Sequence, residues 1–158
     1  INQAGMRCTM TTGGYGITLE TARKMKQAGI ATVSVSIDGL EETHDRLRGR
    51  KGAWKYAFKT MSHLKEVGIP FGCNTQINRL SAPEFPRIYE CIRDAGARAW
   101  QIQLTVPMGN AADNAHILLQ PHELLDIYPM ITSVARRAYS EGVQVQPGNN
   151  IGYYGPEE

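Results

Sequence analysis

One arrangement recurs along this chain and limits what it can fold into. A helix-like stretch ends in a small or apolar residue plus glycine, and a short β-branched run follows. It appears at Ala28-Gly29, Val67-Gly68 and Ala95-Gly96, and more loosely at Glu141-Gly142. Glycine after the last helical turn supplies the left-handed conformation that lets the chain turn back. The runs that follow span residues 32–37, 71–77 and 100–106, and a further strand candidate, residues 7–11, precedes the first helix. Apolar residues at helical spacing predict helices over residues 19–28, with Thr18 as N-cap, 53–67, 83–95 and about 121–140. Strand and helix alternating through short connections mean parallel βαβ units with right-handed crossovers. Four to five units fit in 158 residues, whereas a complete eight-stranded α/β barrel needs about 250. The expectation is an α/β fold, a parallel-stranded partial TIM-type barrel, incomplete in this chain. An open doubly wound sheet is the competing architecture.

The strands favour the barrel. Parallel strands covered on both faces read as continuous apolar runs, but these alternate. Thr32, Ser34, Ser36 and Asp38 share one face, and Val33, Val35 and Ile37 the other. Asn74, Gln76 and Asn78 oppose Cys73, Thr75 and Ile77, and Gln101, Gln103 and Thr105 oppose Trp100, Ile102, Leu104 and Val106. Helices must cover the apolar face, so the polar face is expected to line a lumen wide enough for a ligand. A half-covered sheet with one solvated face is the simpler alternative.

Composition removes several classes of function. Seventeen basic against fifteen acidic side chains give a net charge of +2, without the basic stripe of a nucleic-acid binder. No apolar run approaches the ~20 residues of a membrane span, and no signal peptide opens the chain. Cys8, Cys73 and Cys91 are odd in number and widely spaced, giving neither a disulfide framework nor a zinc site. Each reads as a small buried hydrophobe, so no metal ligand is assigned. A reducing, cytoplasmic compartment fits this cysteine usage. A chain opening at Ile1 and stopping at Pro156-Glu157-Glu158 reads as a piece of something longer.

The segment from Ser36 to Gly49 is the richest in chemistry. It leaves the C-terminal end of a strand, where α/β proteins place their ligands. It carries a hydroxyl (Ser36), carboxylates, a turn glycine (Gly39), an imidazole (His44) and guanidiniums including Arg46 and Arg48. Such a set suits a ribose, a carboxylate or a phosphate; it also suits a polar loop in which Asp38 caps the turn before Gly39. Elsewhere, Gly13-Gly14-Tyr15-Gly16 lacks the spacing and lysine of a phosphate loop and reads as a turn ahead of Thr18. Trp54 and Tyr56 read as packing at a helix start.

A strand ending in Ser36-Ile37-Asp38-Gly39, then Glu42-Thr43-His44-Asp45 with Arg48-Gly49, then an amphipathic helix, resembles the middle of a radical S-adenosylmethionine enzyme. The resemblance is to the branch with a C-terminal SPASM domain for further iron–sulfur clusters. It continues through Val67-Gly68-Ile69-Pro70, Cys73-Asn74-Thr75, Gln101-Ile102-Gln103, residues 118–122 and residues 147–155. On this resemblance residues 1–158 are the middle-to-C-terminal portion of the core barrel. Ser36 would contact the ribose or amino-acid part of S-adenosylmethionine, Arg48 its carboxylate and Val106 its adenine. Asn74 would point into the same lumen. The implied cofactors are S-adenosylmethionine and a [4Fe-4S] cluster, with an electron donor such as flavodoxin or ferredoxin. The implied reaction is reductive cleavage to a 5′-deoxyadenosyl radical and hydrogen abstraction from a substrate, a peptide or protein, or a tetrapyrrole or other cofactor precursor.

The chain departs from that pattern in having no C-x3-C-x2-C run, no glycine-rich segment after the second strand and no cysteine-rich C-terminal domain. The isolated chain is therefore expected not to reduce S-adenosylmethionine. Two other readings stay open. One is a barrel lyase, which needs a lysine at a strand's lumenal end, and no predicted strand carries one. The other is a binding or scaffold relative without a cluster.

Overall fold

A computed structural model describes residues 4–152 of the chain. Tyr153, Tyr154 and Gly155, which close the terminal motif, lie outside the described residues. The order is β1 (Cys8–Thr12), α1 (Leu19–Gln27), β2 (Ile30–Ser36), α2 (Glu41–Leu47), α3 (Ala53–Val67), β3 (Phe71–Ile77), α4 (Phe85–Ala95), β4 (Ala99–Leu104), α5 (Leu124–Ser140) and β5 (Gln144–Pro147). The five strands form one sheet in the order β1-β2-β3-β4-β5, and every pairing is parallel. An order that never reverses, built with crossovers of one hand, sends every helix to the same face and curls the sheet around the other. That is the partial barrel; a doubly wound sheet would reverse its order at a switch point.

Local chemistry explains the elements. Thr18 accepts from the Thr21 amide and caps α1. Gly68 and Gly96 adopt positive φ after α3 and α4 and turn the chain into the next strand. Between β1 and α1, Gly14 is required: a Cβ there would sit 2.7 Å from the Ala57 backbone of α3. The turn reading of this segment therefore holds, and Thr60 secures it by donating to the Gly14 carbonyl at 2.7 Å.

The apolar strand face packs under the helices. Val33, Val35, Ile37, Cys73, Ile77, Trp100 and Ile102 meet Ala57, Met61, Leu64, Ile88, Tyr89, Ile92 and Ile131, all essentially buried. Trp100 stacks on Phe85 with ring centroids 4.4 Å apart. Its indole N–H donates to Thr75 Oγ1 (2.8 Å), and the Thr75 hydroxyl donates to the Ile37 carbonyl (2.5 Å). The one polar side chain on that face of β3 thus ties three strands together with its hydroxyl satisfied. Among the described residues no helix is long and apolar enough to cross a membrane.

Candidate ligand site at the C-terminal rim

Parallel register fixes which polar residues meet. Ser36 stands beside Asn74, Asn74 beside Gln101, and Gln76 beside Gln103, all on the concave face. Among the described strand residues, two side-chain hydrogen bonds cross it. Ser34 donates to Asn74 Oδ1 (2.6 Å), and Gln76 Nε2 donates to Gln103 Oε1 (2.6 Å). The Ser36 hydroxyl and Asn74 Nδ2 have no hydrogen-bond partner among the described residues, so a ligand finds them free. Towards the N-terminal ends of the strands the concave face holds a cavity of about 450 Å³. Its polar lining, Thr11, Thr32, Ser34, Gln101 and Gln144, is uncharged, with Arg98 contributing one cation. None of Ser36, Asn74, Arg48 and Val106 lines that cavity; they belong to the C-terminal edge of the sheet and the loops beyond it.

The chain leaving β2 is built around Asp38, which is 6% exposed. Its Oδ1 accepts the Gln76 amide of β3 (2.9 Å), its own amide donates to His44 Nδ1 (3.0 Å), and its Oδ2 pairs with Arg48 Nη2 (2.5 Å). Asp38 is therefore a bridge between two strands and an arginine, and not the cap of a simple turn. Arg48, with a side chain 36% exposed, has no acceptor on Nε or Nη1 among the described residues. A guanidinium gripped from one side with its other donors open is prepared for a carboxylate.

Half of the apparent polar loop is α2, and its polar groups serve the fold. His44 is fully buried. Burial lowers its pKa, against the pull of Asp38. Asp45 Oδ2 and Oδ1 accept the Gly52 and Trp54 amides at 2.5 and 2.9 Å and cap α3. Glu84, from the turn before α4, accepts the Leu40 amide and the Thr43 hydroxyl, both at 2.8 Å, and holds the start of α2. Nothing in the sequence pattern marks Glu84, which reaches α2 only through the tertiary fold. Asn78, expected on the lumenal face, is 2% exposed, and its Oδ1 accepts the Leu80 and Ser81 amides of a tight turn. The expected strand over residues 100–106 ends at Leu104, so Val106 lies in the following loop, 41% exposed.

The described residues do not fit an iron–sulfur cluster. No group of three or more His, Cys, Asp or Glu among them is placed to hold a metal. Cys73 lies in the core, where burial pushes its thiol pKa up, and Cys8 and Cys91 are half-buried. The donor set at the rim does fit S-adenosylmethionine: a guanidinium for a carboxylate, a free hydroxyl for a ribose or amino group, and an exposed aliphatic side chain for a base.

A family model described as the Radical SAM superfamily matches residues 1–80. The AdoMet-dependent heme synthase of Nitratidesulfovibrio vulgaris is 32% identical over 92% of this chain and 45% of its own length. The sporulation killing factor maturation protein SkfB of Bacillus subtilis is 35% identical over 60% of this chain and 23% of its own. Among solved structures, native anSMEcpe with bound AdoMet and Kp18Cys peptide superposes with a TM-score of 0.72 at 14% identity, over 89% of this chain and 40% of that one. Streptococcus suis SuiB bound to precursor peptide SuiA gives 0.70 at 13%, over 93% and 33%. The chain thus spans less than half the length of these relatives. With more than half of its residues under the family model and the partial barrel in place, the chain belongs to the Radical SAM superfamily, whose enzymes use S-adenosylmethionine and a [4Fe-4S] cluster.

Proposed function

We propose that this chain forms the middle-to-C-terminal portion of a core barrel that binds S-adenosylmethionine at its C-terminal rim and a substrate in its lumen. The chemistry that S-adenosylmethionine would supply there, once reduced by one electron, is cleavage to methionine and a 5′-deoxyadenosyl radical able to take a hydrogen atom from a substrate. The electron would come from a small donor protein of the flavodoxin or ferredoxin type. The chain's own residues bind and orient. Arg48, steadied by Asp38, receives the cofactor's carboxylate through its open donors. Ser36 takes the ribose or amino-acid part, Val106 packs against the adenine, and Asn74 Nδ2 reaches into the lumen. The observation that carries this reading is the anchoring of the half-open Arg48 guanidinium by Asp38, two residues beyond the end of β2 at Ser36, whose hydroxyl has no partner among the described residues.

For the substrate we favour a peptide or protein, because hydroxyls and amides make up the polar lining of the lumen apart from Arg98 and match peptide N–H and C=O groups. A tetrapyrrole precursor is the second reading, favoured by the heme synthase relative that covers nearly the whole chain. The test is cofactor affinity in the intact protein reconstituted anaerobically with iron and sulfide. An ion-paired hydrogen bond contributes about 1.5–3 kcal/mol, so Arg48→Gln should weaken S-adenosylmethionine binding ~10–100-fold. Ser36→Ala removes a neutral bond worth about 1 kcal/mol and should weaken it ~5-fold. Folded Arg48→Gln protein with unchanged affinity would sink the assignment. Release of 5′-deoxyadenosine on reduction, measured with each candidate substrate, then separates the two substrate readings.

A further inference from the structure

A second pocket, of about 300 Å³, opens on the outside of the barrel between the turn at residues 13–17 and α3. Ile17, Leu19 and Tyr56 give it apolar walls, and Lys59 and His63 give it polar ones. Its shape is fixed by the bonds already described, since Gly14 is locked against Ala57 and Thr60. His63 Nδ1 lies 3.0 Å from the Ile17 carbonyl oxygen, a contact that requires the proton on Nδ1 and leaves Nε2 without a partner among the described residues. Beside Tyr56, the Arg50 guanidinium stacks on Tyr15 at 3.6 Å from the ring centroid, and the two tyrosine rings meet edge to face at 5.3 Å.

The charges around this pocket are unevenly used. Arg23, Lys24 and Lys55 pair with Glu66, Glu20 and Glu41. Lys59 and Arg50 have no carboxylate partner among the described residues. An arginine held on an aromatic face keeps its N–H edge ready for an anion at reduced entropic cost. A concave site with apolar walls and a few fixed polar groups is the usual form of a small-ligand pocket.

We propose that this pocket binds an oxyanion, a carboxylate or phosphate, carried on an aromatic or aliphatic body. Lys59 meets the oxyanion, Arg50 assists from the rim, and Ile17, Leu19 and Tyr56 cover the body. None of Ser36, Arg48, Asn74 and Val106 lines this pocket, so the proposal does not depend on their assignment.

The probes are benzoate and phenyl phosphate, titrated against the intact protein by ligand-observed NMR. Binding with a dissociation constant of ~1 mM or below is expected for at least one of them. Whichever binds tighter identifies the anion class. Lys59→Gln should weaken it ~5–10-fold and Arg50→Gln by a smaller factor. Lys65→Gln removes the same charge from the same helix but lines a different cleft, and it should leave affinity unchanged. The proposal is overturned by no binding of either probe at 10 mM (on the order of ten times the expected constant), by an unaffected Lys59→Gln, or by an equal loss in Lys65→Gln.

Discussion

Burying an imidazole and leaving one nitrogen without a partner costs stability, and His44 does this with Nε2. Its Nδ1 accepts the Asp38 amide at 3.0 Å, which orients the carboxylate that holds Arg48. The ring must therefore stay neutral, with its proton on Nε2. Its folded pKa lies below the unfolded value, set by burial first and by Arg48 after the opposing pull of Asp38. The unfolded chain thus binds the proton first: stability is complete above about pH 6.5 and falls as the pH drops from there toward the lowered folded value. Glu123 and Glu141, held at about 2, the first by Arg79 and the second by Tyr89 and Arg93, cannot supply that slope, because their contributions are lost only well below it. Urea unfolding at pH 7.5 and at 5.5, on the two sides of the free imidazole's value of about 6.5, should show wild type losing stability on the acid side. His44→Asn keeps an acceptor for the Asp38 amide, so it should lower stability overall and flatten this pH dependence. Equal slopes in the two proteins would mean that His44 is not held neutral. Sequence spacing could group Asp38, His44, Asp45 and Arg48 but could not say which of their polar atoms the fold consumes. Alternation assigns a face; only the tertiary arrangement shows that Asp38 spends one oxygen on β3 and that Asp45 spends both on α3.

Elements long enough to show a period were readable, and short ones were not. The helix expected over residues 53–67 is α3 to the residue, because Ala57, Met61 and Leu64 recur on one buried face. In contrast, α2 has seven residues and one buried side chain, too few for any periodicity. The same limit hid the cap of α3. Gly52 occupies the N-cap position without a side chain, and the acceptor comes from Asp45, one helix earlier. Burial opposes ionisation of Asp45, yet the donors from Trp54 and Gly52 hold its carboxyl below the usual carboxylate range. Removing a cap costs about 0.5–2 kcal/mol, which for a chain of this size lowers the melting temperature by ~1–8 °C. Asp45→Ala should do so in a thermal scan at pH 7. Because the folded pKa is lowered, the difference from wild type should shrink as the pH falls below about 4. A loss confined to the α2 amides in hydrogen exchange would show instead that Asp45 serves its own helix.

At the scale of the whole molecule, order and curl follow from crossovers of one hand, but stability is distributed unevenly across the five strands. Interior strands β2, β3 and β4 pair on both sides and carry the buried Trp100–Thr75–Ile37 relay. Among the described residues the outer strands pair on one side only; β1 alternates half-buried with exposed residues, and β5 has Val145 as its one buried residue. A strand with one free edge opens without disturbing the core, so its amides exchange through local fluctuation and not through global unfolding. Hydrogen exchange followed by mass spectrometry on this chain should show peptides from β2 to β4 exchanging at least ~10-fold more slowly than those from β1 and β5. The same free edges can template pairing with another chain. Protection of β1 equal to that of β3, if it rises with protein concentration, would mean that copies join edge to edge. Protection that is equal and independent of concentration would mean that the cooperative unit takes in all five strands, and that the core relay stabilises the sheet beyond the strands it touches.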